Sequence, residues 1–289
     1  MNEKIETIKR LKHQIALGEK VTAAASHLYR LGEHEAASEA MLEEFRKYKD
    51  LDDPRHAGKS GRFRTTMIGL IGQYRDYRAI PDLLEVLDLY TIDAAYALAK
   101  IGGDELEEKL LSIATIDNLK GIGAVITLGY LRHPDVLPQL INLVVNFESI
   151  WEVTVKPRLG LKSVYPFQLD DLLLVLGGYD DEEAIQILRE KISRNCIMKI
   201  LVFYALCQLE PEKYKEDGNY KFSGTVGLCN EITLRNGWNK ILTKEDVLKL
   251  GSEIDISLHT LGPEKNRDRS VQSNIIVNKV EKQIKLELQ

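Results

Sequence analysis

The sequence predicts an all-α chain, an α-solenoid of stacked helix pairs with a short inserted loop or hairpin. Three observations carry this expectation. A short phrase recurs along the first two-thirds of the chain: an apolar residue, a glycine or turn, a polar step, then an apolar pair opening a new run. It stands at Leu31-Gly32 with Ala36-Ala37, Ile71-Gly72 with Ile80-Pro81, Ile101-Gly102-Gly103 with Leu106, Leu128-Gly129 with Leu137-Pro138, and Leu176-Gly177-Gly178 with Ala184-Ile185. A repeat of this kind means units that bury their apolar faces against their neighbours. The runs between the phrases place apolar residues at steps of three and four, the period of a helix buried on one side. The apolar share of the 289 residues is 44%, enough for a core running through such an array.

The elements follow in order. Residues 3–17 set Ile5, Ile8, Leu11 and Ile15 on one face, with Lys and Glu between them. A second helix is expected over 21–31, punctuated by Gly32, and a third over 35–48. Residues 50–62 are rich in Asp, Pro and Gly and read as a loop, with helical periodicity resuming at Thr66. Ile80-Pro81 opens a helix with proline in its first turn, where a missing N–H costs no intrahelical bond. The returning helix, 92–101, is ended by Gly102-Gly103. Helices over 106–114 and 122–131 repeat the pair, and His133 to Pro138 turns tightly into another at 139–147.

These blocks resemble HEAT repeats of the short phycobilisome-lyase-like type. The resemblance rests on Ile71-Gly72 through Ile80-Pro81 and Leu87, on Ala95-Tyr96-Ala97-Leu98-Ala99 through Ile101-Gly102, and on Leu128-Gly129 through Leu137-Pro138. It covers roughly residues 20–210 and is strongest over 66–146. It implies a right-handed solenoid. It says little about activity, because members are mostly scaffolds and adaptors with a minority of enzymes. Spacing between units is irregular here, and most units lack the usual Asp-Pro of the turn.

The array is interrupted over about 148–170. Trp151, Val153 and Val155 alternate with Glu152, Thr154 and Lys156, a strand-like pattern, and Pro157, Gly160 and Pro166 break helices. Helices are expected again at 171–176, 182–192 and 198–209. The domain expectation is therefore a repeat region over 1–210 and a helical C-terminal extension or cap over 211–289. In that extension Thr243 is a good N-cap for a helix starting with acidic residues. Ile276, Val280, Ile284 and Leu288 recur every fourth residue, suited either to capping the array or to pairing with another chain.

Composition bounds the function. A formal net charge of -5 does not favour nucleic acid as the main ligand, since neutralising phosphates needs a dense Lys/Arg surface. Cys196, Cys207 and Cys229 are odd in number and match no zinc spacing, and reduced cysteines suit the cytoplasm. The amino end lacks the apolar stretch of a signal peptide, and the longest apolar runs are far short of a membrane span. The six histidines are scattered without convergent ligand spacing, so neither a metal nor a cofactor is expected.

Two regions hold candidate binding residues. Trp151, Lys156, Arg158 and Tyr165 in the interruption are residue types enriched in binding hot spots. The alternative is that Trp151 and Phe167 fold back as a plug over neighbouring helices. Arg55, Lys59, Arg62 and Arg64, among glycines, suit an anion, because guanidinium forks match oxyanions. Gly58-Lys59-Ser60 echoes a phosphate loop, but Asp53 stands where its first glycine belongs. The expected function is a protein-binding scaffold or adaptor, including an inhibitor or immunity-type partner. The alternative is an enzyme using the concave groove: a nucleic-acid-acting one of the HEAT-like DNA glycosylase type, for which Trp151, Arg158, Asp170 and Asp171 are the residues to weigh, or a cofactor lyase.

Overall fold

The computed structural model describes residues 2–49, 61–158, 167–192, 201–202, 205–206, 208–212 and 237–253, and every regular element among them is helical. The chain divides into two compact units, Met1–Leu172 and Leu173–Gln289.

The first unit begins with α1 (Asn2–Ala16), α2 (Val21–Arg30) and α3 (His34–Tyr48). Leu11, Ala24, Leu28 and Ala37 form their shared apolar cluster, with Ile8 and Ile15 packed against it. Then come α4 (Gly61–Tyr74), α5 (Ile80–Glu85), α6 (Thr91–Ile101), α7 (Asp104–Ile113), α8 (Leu119–Tyr130) and α9 (Leu137–Val145). Sequence neighbours pack in pairs: α3 on α4, α5 on α6, α7 on α8, α8 on α9. In addition α4 packs on α6, and α6 on α8. The even-numbered helices thus form a row to which the odd-numbered ones attach. Burial follows from this. Every residue of α8 from Gly121 to Tyr130 is buried, because neighbours cover it on several sides.

Small residues set the spacing in that row. A Cβ at Gly72 would lie 2.6 Å from Ala97 Cα and 2.8 Å from Ala97 Cβ, so α4 approaches α6 only because position 72 carries a hydrogen. At the end of α6, Gly102 and Gly103 have φ of 67° and 113°, backbone that L side chains rarely adopt.

The turns that feed α5 and α9 share one plan. Arg75 and Arg132 are left-handed, at φ 56° and 62°. Asp76 and His133 follow, each accepting a hydrogen bond from the amide two residues on: Arg78 N–H to Asp76 Oδ1 at 3.0 Å, Asp135 N–H to His133 Nδ1 at 3.3 Å. A 3₁₀ turn comes next, Tyr77–Ala79 or Pro134–Val136. Ile80-Pro81 or Leu137-Pro138 then opens the helix.

Polar side chains tie α3 to the first of these turns. Ser38 Oγ donates to Asp76 Oδ2 at 2.5 Å, and the Arg78 guanidinium grips both oxygens of Asp76 at 2.7 Å and 2.9 Å. Burial pushes the Asp76 carboxyl up, but Arg78 and Ser38 together outweigh it and hold it at about 2. On α5, Asp82 accepts from Arg46 at 2.9 Å and from Lys49 at 2.8 Å.

The strand-like reading of 151–156 is corrected. Residues 147–158 are helical throughout: α10 (Phe147–Ile150), a π-helical turn (Trp151–Val155) and a 3₁₀ turn (Lys156–Arg158). Alternation over six residues does not distinguish a strand from a helix whose apolar residues point both ways. Val155 is buried, whereas Val153 is 74% exposed, so the two valines that a strand would place on one face lie apart. The rest of the expected hairpin, 159–166, lies outside the described residues. The helix expected from Thr66 starts earlier, at Gly61. α11 (Leu169–Leu176) follows the interruption.

In the second unit, α12 (Glu182–Ile192) is capped by Asp181, whose carboxylate accepts from Ala184 N–H at 3.0 Å. The short α13 (Trp238–Ile241) packs on α12, and the Trp238 indole donates to Gln208 Oε1 at 2.5 Å. α14 (Lys244–Glu253) starts with a reciprocal cap. Thr243 Oγ1 accepts from Asp246 N–H, and the Asp246 carboxylate accepts from Thr243 N–H, each at 3.1 Å. The hydroxyl and amide of Thr243 hold the Asp246 carboxyl below its usual range. The expected helix over 226–234 and the tail at 275–288 lie outside the described residues.

Candidate binding surface

The helical segment after α9 has two sides of different chemistry. Its inner side carries Phe147 and Trp151, one helical turn apart, which meet Phe167 just before α11. Ring centroids lie 5.5 Å apart for Phe147–Trp151 and 6.1 Å for each contact with Phe167, the latter two edge-to-face. Phe167 is fully buried, and Trp151 is half-buried. The outer side carries Glu148, Ser149, Glu152, Val153 and Lys156, all exposed. Lys156 is paired with Glu152 at 2.6 Å, one turn apart, with both side chains more than half exposed. The pair therefore adds little to stability.

The π turn has a local cause. Lys156 N–H donates to the Trp151 carbonyl, five residues back instead of four. Pro157 has no N–H to give, and its ring crowds the carbonyl four residues before it, so the preceding turn widens. The widened turn keeps Trp151 and Val155 on the inner side and presents Val153 outward. Such turns are rare and concentrate at functional sites.

Of the four expected partner-binding residues, the structure therefore places Trp151 in an inward aromatic cluster and Lys156 on the exposed side. Arg158 closes the 3₁₀ turn, with its side chain outside the described residues, as is all of Tyr165. In the expected anion site, Arg55 and Lys59 also lie outside the described residues. Arg62 is on α4, its side chain likewise outside. Arg64 is not a loop residue. It sits on α4 in phase with the buried Met67, Ile68 and Ile71, is itself buried, and donates from Nη1 to Tyr90 Oη at 3.4 Å. The loop reading failed there because the helix starts five residues before its apolar period becomes visible.

A second feature pairs Asp171, one of the residues to weigh for the enzyme alternative, with Asp93, which the sequence does not single out. Asp93, at the third position of α6, and Asp171, at the third position of α11, are partly buried carboxyls raised to about 6. Burial is the main cause for both. The charges of Asp170 and Asp93 push Asp171 further up, while the Gln168 N–H, bonded to Asp171 Oδ2 at 2.8 Å, pulls it down. An acidic residue in a first turn ordinarily reads as a response to the helix dipole. Nothing in the sequence distinguishes the two that tertiary packing covers. The aromatic side did leave a trace: Phe147, Trp151 and Val155 recur every fourth residue, a helical ridge.

Among the described residues no group of three or more His, Cys, Asp or Glu is arranged to hold a metal ion. No helix among them is long and apolar enough to cross a membrane. Comparison of the chain with protein families, curated proteins and solved structures finds no match.

Proposed function

We propose that this chain is a scaffold or adaptor of stacked, HEAT-like helix pairs that binds another protein, with the outer side of 147–156 as its recognition element. One observation carries the reading: the π turn at Trp151–Val155 fixes an aromatic anchor inward and turns a 74% exposed Val153 outward between charged neighbours. A rigid ridge that presents apolar surface inside a polar rim is what a protein interface uses. The pairwise packing of α3 to α9 supports the repeat architecture, and the net charge of -5 speaks for protein over nucleic acid.

The test is capture of bound proteins from the native cell with the wild type and with Val153→Arg. Val153 is exposed, so the variant keeps the fold, checked by an unchanged thermal midpoint. Loss of a partner that the wild type retains supports the reading. Recovery of the same partners in equal yield overturns it.

A second reading, an enzyme acting on nucleic acid, is favoured by Asp171 alone. A half-buried carboxyl raised to about 6 suits acid–base work at neutral pH. Base release from damaged DNA by the wild type, abolished in Asp171→Asn, would establish it; no release by the wild type removes it.

A further inference from the structure

We draw no further inference here: the strongest candidate, the pair of partly buried carboxyls Asp93 and Asp171 at the first turns of α6 and α11, is an acidic pair with no second feature beside it that names a ligand.

Discussion

The turn at 75–81 and the turn at 132–138 have the same backbone and are held differently. Both start from a left-handed arginine, cap a 3₁₀ turn with the next side chain, and end on an apolar-Pro pair. In the second turn the cap is an imidazole whose Nδ1 accepts the Asp135 amide. In the first it is a carboxylate that also grips Arg78 and accepts from Ser38 on α3. The repeat phrase thus specifies a conformation, and in the first turn the cap residue also joins it to α3, two helices back along the chain.

The largest effect is expected where α4 meets α6, next to the first turn. Gly72→Ala drives a Cβ into the Ala97 backbone, which has no side chain to move aside, and should destabilise by about 2–3 kcal/mol in urea unfolding. Asp76→Ala comes next, at about 2 kcal/mol, since it removes a cap and leaves the Ser38 hydroxyl buried without its acceptor. The folded-state carboxyl lies at about 2, below its unfolded value. Its contribution is therefore present above about pH 4 and lost as pH falls through 2. The wild type should lose that stability in acid, and Asp76→Ala should not.

Asp93 reverses the sign. Its folded value of about 6 lies above the unfolded one, so its contribution is present below about pH 4 and lost as pH rises through 6. Asp93→Asn should raise stability at pH 8 by about 1–2 kcal/mol and flatten the pH profile between 4 and 7. A profile unchanged by the substitution would mean that burial does not act on this carboxyl. The smallest effect belongs to the imidazole cap. His133→Ala should cost about 0.5–1 kcal/mol, and a loss equal to that of Asp76→Ala would erase the difference between the turns.

Much of the helical order is legible in the sequence because each helix covers one face. The steps of three and four predict α1, α2, α3, α6 and α12 to within about two residues, and Gly102-Gly103 and Thr243 act as the stop and start that their chemistry suggests. What stayed hidden depends on contacts distant in sequence. Arg64 looks like a loop cation until Tyr90 and the inward face of α4 are known. Asp93 looks like any first-turn acid until packing covers it. The interruption after α9 is visible in the sequence, but the conformation of 151–156 is not, because alternating apolar residues suit either a strand or a helix that is apolar inward and has one valine outward.

The π turn at Trp151–Val155 also has a consequence in residue count. A five-residue ring where four would do is a helix with one residue in excess. Deleting Thr154 would remove that excess and let the ring from the Lys156 N–H to the Trp151 carbonyl close over four residues, as in an ordinary α-helix. Val153 and Lys156, both exposed, would then stand two residues apart instead of three, on opposite sides of an ordinary helix. Length variants at this one position offer a way to re-aim the surface without changing a side chain on it.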